Sequence, residues 1–231
     1  MPRPPGHGSA FEPRRREIID TAAELFARRG YAATGITEIC EAVGLARGAL
    51  YYYIGSKEQL LVEIQSAVLV PLLATANAVA ELDVRPVVRL RLLSELLLEQ
   101  IVQRLDHIWV YEHDYRQLSA ENQATLVAQR HAFEDVVAQL LAAAVEAGEF
   151  REMDVRLGML QFLNMHNHTY QWVRPTGRWD VAHLSQQYCA TLFRGFAAAG
   201  YDPSTVEEET ARYRAAHPDL PRLGAVTAAP A

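Results

Sequence analysis

The stretch ITEICEAVGLARGALYYYIGSKEQLL, residues 36–61, decides how the rest of the chain is interpreted. Its first part has apolar residues at helical spacing, which predicts a helix with one buried face. These residues are Ile36, Ile39, Cys40 and Val43. Gly44 is expected to end that helix, because glycine adopts the left-handed conformation of a helix C-terminus at little cost. A second helix of about two turns is predicted from Arg47 to Ile54.

The second predicted helix has an inner and an outer face. Leu50 and Ile54 are expected to point into a core. The side chains expected to point largely outward are Arg47, Ala49, Tyr52 and Tyr53. A short helix that presents arginine and tyrosine, braced by a preceding helix across a glycine-containing turn, is typical of a helix-turn-helix. Such a helix must fit the major groove of DNA and donate hydrogen bonds to base edges.

A longer segment, IIDTAAELFARRGYAATGITEICEAVGLARGALYYYIGSKEQLL (residues 18–61), resembles the TetR family of bacterial repressors, and GALYYYIGSKEQLL is its most specific part. The resemblance implies an all-α fold. A three-helix helix-turn-helix DNA-binding domain would occupy residues 13–60, and a helical ligand-binding and dimerisation bundle would occupy residues 61–200. Residues 1–12, rich in proline and glycine, are expected to form a disordered arm, and residues 201–231 a C-terminal tail.

The resemblance also implies which residues contact DNA. Arg47 matches the base-reading entrance of the second helix, and an arginine there suits O6 and N7 of guanine. Lys57 matches a phosphate contact at the N-terminus of the next helix, where its charge and the helix dipole act together. The complete set of expected DNA-binding residues is Thr34, Thr37, Arg47, Gly48, Ala49, Tyr51, Tyr52, Tyr53 and Lys57.

Three features of this region keep two interpretations each. Tyr51 either contacts DNA or packs partly into the three-helix core. The triplet Arg14, Arg15 and Arg16 opens the first helix, where the helix dipole disfavours cations; it either contacts phosphates beside the minor groove or forms a solvated basic surface. Pro71 falls inside the predicted fourth helix and must kink it, as a hinge or as a static bend.

Charge and composition are compatible with a DNA-binding segment in an acidic chain. The 231 residues carry a net charge of −6. Residues 1–60 hold 8 of the 22 basic and 7 of the 28 acidic side chains, so 14 and 21 remain for residues 61–231. The acidity therefore belongs to the larger part. The two cysteines are expected to be buried free thiols. The absence of a signal peptide and of a charge-free apolar run of about 18 residues predicts a cytoplasmic protein without a membrane span.

Aromatic and polar side chains of the larger part are candidates for an effector pocket that is mostly apolar. They are Trp109, Tyr111, His113, Phe162, Asn164, Met165, His168 and Trp172. Each one taken singly is more often ordinary helix packing. The phrases DYRQL, AGEF and WVRPTG resemble TetR-type regulators of lipid and steroid degradation, several of which respond to acyl-CoA thioesters. The resemblance therefore implies an acyl-CoA or a similar amphipathic effector, for which Arg116, Arg130 and Arg174 are candidate anion partners.

The resemblance further implies a homodimer in which the last two predicted helices, from Asp154 and from Asp180, pair across a two-fold axis. The expected interface residues are Leu184, Tyr188, Leu192 and Phe196. A dimer supplies the two reading heads that a palindromic operator requires. The predicted function is that of a ligand-responsive, sequence-specific transcriptional repressor, released from its operator by a small-molecule effector.

The chain shows no HExxH pair, nucleophile motif or glycine-rich phosphate loop, so neither an enzyme nor a cofactor is expected. His166 and His168 lie two residues apart, which places them on different helix faces and argues against a metal site. The alternative function is a helical small-molecule-binding or metal-dependent protein whose N-terminal bundle is structural. An activator role is equally compatible with the residues.

Overall fold

A computed structural model describes residues 10–218 and 220 of the chain. Those residues form the helices α1 (Phe11–Arg29), α2 (Ile36–Val43), α3 (Arg47–Ile54), α4 (Lys57–Ala80), α5 (Pro86–Gln103), α6 (Leu105–His113), α7 (Ala120–Glu146), α8 (Val155–Asn167), α9 (Val181–Phe196) and α10 (Thr205–Ala216). Short 3₁₀ turns, Tyr115–Gln117 and His168–Gln171, follow α6 and α8. The described residues contain no strand, only an isolated bridge between Phe150 and Ala197. The all-α prediction is confirmed.

Several helix ends follow from local sequence. Gly44 has φ 66° and ψ 36° and ends α2 as expected. Asp180 caps α9, because its carboxylate accepts a hydrogen bond of 2.8 Å from the backbone N–H of His183. Ser56 caps α4 by accepting from the N–H of Gln59 at 2.9 Å. The amide of Gln59 donates to the carboxylate of Glu63.

Other ends differ from the expectation. α8 stops at Asn167 and continues as a 3₁₀ turn, so the helix predicted from Asp154 is interrupted before α9. α1 begins at Phe11, inside the arm expected to be disordered, and the rest of that arm (residues 1–9) lies outside the described residues. The helix α10 has no counterpart in the sequence analysis, which assigned its residues to a tail. Most residues after Pro218, also expected to be disordered, lie outside the described part.

The chain divides into two compact units, and the first combines distant segments. It contains the described residues up to Val68 together with Leu105–Val127. Within it α1 packs against α2, α3 and α6. Its core includes Ile18, Phe26, Ile39, Leu50 and Leu61. A single domain boundary near residue 60 was predicted from the sequence, and this boundary places α6 in the larger domain.

Polar contacts explain why α6 belongs with the N-terminal helices. The ring Nε2 of His107 lies 3.2 Å from the carboxylate of Asp20 on α1. The amide of Gln65 on α4 donates to the carbonyl of Val110 at 3.2 Å. The carboxylate of Asp114, just after α6, accepts from the backbone N–H of Tyr31 at 3.3 Å. These partners are separated by 45 or more residues, so no local pattern could reveal them.

The helix α4 satisfies, by length and composition, the criteria for a membrane-crossing helix. Half of its most apolar window is buried inside the protein, which is the behaviour of a core helix. Packing within the protein therefore explains why α4 is rich in apolar residues. Pro71 lies within this helix, three residues beyond the end of the first unit.

The second unit contains Leu69–Arg104 and the described residues from Ala128 onward. α5 is its central element and packs against α8, α9 and α10. One stripe of apolar residues on α5 is buried, and its members are Val87, Leu90, Leu93, Leu97 and Ile101. Phe150, Phe193 and Phe196 form a cluster of aromatic rings with centroids 5.4 and 5.5 Å apart.

The core of the second unit also holds a chain of buried hydrogen bonds. Nη1 of Arg91 donates to Oγ of Ser185 at 2.7 Å, and this oxygen lies 2.8 Å from Oγ of Ser94. Oγ of Ser94 lies 2.6 Å from Nε2 of His166, whose Nδ1 lies 2.7 Å from the carbonyl oxygen of Phe162. All four side chains are at most 4% exposed.

Only one direction of hydrogen bonding satisfies this chain. The carbonyl of Phe162 can only accept, so Nδ1 of His166 carries the proton. Burial, together with the nearby charge of Arg91, lowers the pKa of His166 to about 4, so the ring is neutral at pH 7. Nε2 must then accept from Ser94, which accepts from Ser185, which accepts from Arg91. The chain joins α5, α8 and α9 with every member satisfied.

The substitution His166→Gln tests this neutral ring. The unfolded chain protonates this histidine near pH 6.5, whereas the folded chain does so near pH 4. The folded-state pKa is the lower one, so stability is lost as the pH falls through this window. Between about pH 7 and pH 5, the wild-type free energy of unfolding should fall about 2 kcal/mol more than that of His166→Gln. Denaturant unfolding at both pH values measures this difference.

His131→Gln is the matched control, because His131 is exposed on α7. It should keep the pH dependence of the wild type. Equal pH dependence for wild type and His166→Gln would contradict a neutral buried ring at position 166.

Candidate nucleic-acid interface and effector surface

The two helices of the predicted helix-turn-helix are joined as the sequence requires. Gly44 in the left-handed conformation lets the N–H of Leu45 donate to the carbonyl of Cys40 at 2.9 Å, which closes the end of α2. α3 then begins at Arg47. Leu50 and Ile54 are 0% and 3% exposed and hold α3 on the core of the first unit. The opposite face of α3 is left open to solvent.

That open face carries the residues expected to read DNA. Arg47, Gly48 and Ala49 are exposed, and Tyr52 is 64% exposed. A Cβ atom added to Gly48 would meet nothing within 4 Å, so the start of α3 offers an unobstructed surface. Thr37, in the first turn of α2, is also exposed.

Tyr51 orients the arginine at the start of α3. Nη2 of Arg47 donates to the hydroxyl of Tyr51 at 3.5 Å, and the guanidinium carbon lies 5.7 Å from the centre of its ring. The hydrogen bond to Tyr51 raises the pKa of Arg47. Tyr51 is half-buried and supports Arg47 from the side.

An aromatic cluster stands at the other end of α3. The ring of Phe11 stacks on Tyr53 with centroids 5.0 Å apart and meets Tyr52 edge-on at 5.6 Å. Tyr53 is consequently half-buried, whereas Tyr52 keeps most of its surface. Packing on these rings also explains why α1 begins as early as Phe11.

The structure separates the three arginines at the start of α1. Arg14 donates to the carbonyl of Val43 at the end of α2, and Arg15 donates to the carbonyl of Tyr53 near the end of α3. Arg15 also forms an ion pair of 2.7 Å with Glu63. Carbonyls at a helix C-terminus lack intrahelical partners, so these two arginines stabilise the ends of α2 and α3 by donating hydrogen bonds to them. Arg16 is exposed and remains available to a phosphate.

Two residues that were expected to contact phosphates, Thr34 and Lys57, donate hydrogen bonds to backbone carbonyls of the first unit. The hydroxyl of Thr34 is fully buried and donates to the carbonyl of Gly30 at 3.0 Å. The structure therefore contradicts the phosphate contact expected of Thr34. Nζ of Lys57 donates to the carbonyl of Tyr31 at 2.6 Å and lies 4.1 Å from the centre of its ring. Desolvation lowers the pKa of Lys57, which is nevertheless only partly buried.

The expected effector-binding residues are divided between the two units, and neither unit brings all eight together. Trp109, Tyr111 and His113 lie on α6 in the first unit; Phe162, Asn164, Met165, His168 and Trp172 lie in the second. Tyr111 and Phe162 are buried. The ring of Phe162 stacks on His166 at 4.3 Å, which makes it a core residue. Trp109, His113, Asn164, His168 and Trp172 are exposed, and Met165 is half-buried.

One small cavity in the second unit includes Trp172. Its volume is about 150 Å³ and its lining is Trp172, Val173, Arg174, Gly177, Arg178 and Trp179. The turn between α8 and α9 closes here, with the N–H of Gly177 donating to the carbonyl of Arg174 at 2.8 Å. A Cβ at position 177 would lie 2.9 Å from that oxygen, so the turn requires glycine.

The two tryptophans of this cavity are 45% and 47% exposed, and their rings meet edge-on at 6.2 Å. The guanidinium of Arg178 lies 5.7 Å from the ring centre of Trp179. The turn thus presents two indoles and two arginines on one short segment. The sequence analysis had singled out Trp172 and Arg174 but not the other two.

The residues expected to contact a second copy are used within the chain. Leu184, Leu192 and Phe196 are only 5 to 8% exposed in the second unit. Tyr188 is half-buried and its hydroxyl lies 2.9 Å from that of Thr169. Little surface of these side chains is left for a partner. The exposed apolar residues of this region are instead Leu157 and Leu160 on α8, at 54% and 41%.

The buried chain of hydrogen bonds around Arg91 was not predicted from the sequence. A signal was present, because Arg91 and Ser94 occupy the inward side of an otherwise apolar helix. Metal binding finds no support in this region: both ring nitrogens of His166 are engaged. The described residues hold no group of three histidine, cysteine or acidic side chains that could bind a metal ion.

Comparison with known proteins gives two family matches. Residues 18–64 match the family described as bacterial regulatory proteins, tetR family. Residues 83–196 match the tetracyclin repressor-like C-terminal domain. The first match contains α3 and the second ends with α9, so α10 lies outside both.

Individual relatives are similar over almost their whole length. The HTH-type transcriptional repressor KstR2 of Rhodococcus jostii (strain RHA1) is 28% identical over 199 residues, covering 85% of this chain and 98% of that protein. The crystal structure of PfmR from Thermus thermophilus, a TetR family regulator, has a TM-score of 0.72 and 32% identity, covering 77% of this chain and 97% of its own.

A third relative was crystallised with its ligands. The structure of AibR in complex with isovaleryl coenzyme A and operator DNA has a TM-score of 0.70 and 27% identity, and the match covers 78% of this chain and 98% of that one. Because both parts of the chain match and relatives are covered almost completely, this protein belongs to the TetR family of bacterial transcriptional regulators.

Proposed function

We propose that this protein is a ligand-responsive, sequence-specific DNA-binding transcriptional repressor that releases its operator when a small molecule binds. The observation that carries the proposal is the exposed face of α3, anchored from behind by Leu50 and Ile54. The effector would act by population shift, because it can weaken DNA binding only by as much as its affinity differs between two states of the protein.

The chemistry of α3 fits the major groove. An arginine at the start of the helix can donate two hydrogen bonds to O6 and N7 of guanine. The absence of a side chain at Gly48 and the methyl group of Ala49 permit close approach and a contact with a thymine methyl. Tyr52, Arg16 and Thr37 are exposed, and the ammonium of Lys57 has donors besides the one bound to Tyr31. These residues would position the helix by contacts to phosphates, which carry no sequence information.

Selection of bound duplexes from a random pool tests the reading role of Arg47. The wild type should enrich one palindrome, and Arg47→Ala should lose the preference at one base pair of each half-site, at a cost of about 1–3 kcal/mol. Arg16→Ala is the matched control: its binding should weaken to a similar degree for every sequence. Enrichment of the same site by wild type and Arg47→Ala would contradict base reading by Arg47.

A homodimer is proposed because a palindromic operator needs two heads about 34–36 Å apart. The exposed apolar residues Leu157 and Leu160 lie three residues apart and thus on one side of α8. On α9, Gln186, Gln187 and Thr191 are exposed. An apolar centre with a polar surround is the composition of a stable protein interface. We place the two-fold contact on these exposed residues and not on the buried ones first expected.

Introducing a charge at this surface tests the dimer. Leu160→Glu should shift the protein toward the monomer in sedimentation and should weaken operator binding, because a buried unpaired charge opposes association. Val127→Glu, at another exposed apolar position, should leave the wild-type mass. A Leu160→Glu protein that stays dimeric would place the interface elsewhere.

An acyl-CoA is proposed as the effector class. AibR, solved with isovaleryl coenzyme A, supports it as a relative of the same fold. The cavity of Trp172 and Trp179 supports it chemically, because indole rings stack on adenine and arginines bind phosphates in bidentate fashion. Arg174 and Arg178 would hold the phosphates of the nucleotide, and Trp179 would face the base.

Release of labelled operator DNA by an acyl-CoA series tests this effector. An acyl-CoA should release the DNA, whereas the free fatty acid should not. Arg178→Gln should require about tenfold more acyl-CoA, since a charged hydrogen bond contributes about 1.5–3 kcal/mol. Arg212→Gln, an exposed arginine of α10, should respond like the wild type. Release by the free fatty acid alone would exclude the nucleotide contact.

The remaining parts of the proposal follow from the family. A DNA-binding regulator acts where the chromosome is, so we propose a cytoplasmic protein without a membrane partner. We also propose that it performs no catalysis. The only serine–histidine pair in the buried chain, Ser94 and His166, is sealed in the core, where a substrate has no access.

A further inference from the structure

The helix α10 lies beyond the matched repressor domains, since both family matches end before it. It packs against α5 in the second unit. Only two of its twelve residues, Val206 and Thr210, are buried. Such a small apolar anchor contributes little to docking.

Ion pairs provide most of the remaining attachment. Arg85 forms two hydrogen bonds with Glu209, of 2.6 and 2.8 Å. Arg214 of α10 pairs with Glu95 of α5 at 3.1 Å. A third pair joins Arg91 and Glu207. A helix held in this way is sensitive to salt and to competing ions.

The pair of Arg91 and Glu207 has the geometry of an anion-binding site. Nε and Nη2 of Arg91 donate to the two carboxylate oxygens of Glu207 at 2.6 and 3.0 Å. The third nitrogen, Nη1, is fixed by Ser185 at 2.7 Å and Glu95 at 3.1 Å. Arginine recognises carboxylates and phosphates through this planar fork. The fork is thus oriented by α5 and α9, while its anion comes from α10.

We propose that α10 is a detachable strap: its Glu207 carboxylate occupies an anion-binding fork built by Arg91, and lifting the strap vacates that fork for a carboxylate or phosphate of a ligand. Arg91 is 4% exposed with α10 in place. When the strap lifts, water reaches the guanidinium and Glu95 stays beside it, so the charge is not left buried without compensation.

A cavity beneath α10 reports whether the strap is closed. Its volume is about 300 Å³, and its lining includes Cys189 and Phe193 of α9 together with Val206 and Glu207 of α10. The thiol of Cys189 is 1% exposed, and burial raises its pKa to about 12. Thiol reagents react with the accessible thiolate. Labelling of Cys189 therefore measures opening at α10.

The experiment measures labelling rates of the full-length protein with a maleimide, assigned to each cysteine by peptide mass spectrometry. Cys40 lies in the first unit and serves as an internal reference for general unfolding. Glu207→Gln should label Cys189 at least about tenfold faster than the wild type, because it removes the anion paired with the buried guanidinium of Arg91 and so weakens the attachment of α10. The rate at Cys40 should not change.

The matched control is Glu208→Gln. Glu208 is the neighbouring residue on the exposed side of α10 and pairs only with Arg212 of the same helix at 2.9 Å among the described residues. It should label like the wild type. Equal acceleration at both cysteines, equal acceleration in Glu208→Gln, or no acceleration in Glu207→Gln would each overturn the strap.

The wild type itself provides a second test that needs no substitution. Raising sodium chloride to about 1 M, where charges are screened beyond about 3 Å, should accelerate labelling of Cys189 alone. Sodium acetate, whose carboxylate resembles that of Glu207, should accelerate it further at equal ionic strength. Equal rates in the two salts would overturn the anion-binding fork, and no effect of either salt would overturn the ion-pair strap.

Discussion

The DNA-reading helix α3 is eight residues long, and a helix of that length is not stable in water by itself. Its existence depends on the burial of Leu50 and Ile54, which are at most 3% exposed. Because the inner side is fixed by two apolar residues, the outer side is free to carry Arg47, Gly48 and Ala49. The residues that anchor the helix and the residues that are exposed thus lie on opposite faces of the same two turns.

Charged residues around α3 stabilise the first unit by donating hydrogen bonds to its backbone carbonyls. Arg14 and Arg15 supply donors to carbonyls at the ends of α2 and α3, where the backbone has no partners of its own. Lys57 does the same for the carbonyl of Tyr31. Cations that could be assigned to DNA from composition alone are therefore partly structural. Among these cations, Arg47 and Arg16 are exposed.

The second unit is organised around a charge and not only around apolar packing. Arg91 sits on the buried side of α5 and starts the hydrogen-bond chain through Ser185 and Ser94 to His166. The same guanidinium receives Glu207 from α10. One side chain therefore takes part in a continuous chain of hydrogen bonds that joins four helices, α5, α8, α9 and α10.

The sequence by itself determined the all-α class, the end of α2 at Gly44, the bounds of α3 and the cap of α9. These features follow from periodicity, from Gly44 and from a capping Asp180, which all act within a few residues. Only the tertiary structure decided that Thr34 is buried, that Leu184 and Leu192 belong to the core, and that α6 joins the DNA-binding unit. A helix with apolar residues on more than one side does not reveal which side faces inward. The helix α10 was beyond local reasoning for the same physical reason: its main partners, Arg85 and Arg91, lie more than a hundred residues away in sequence.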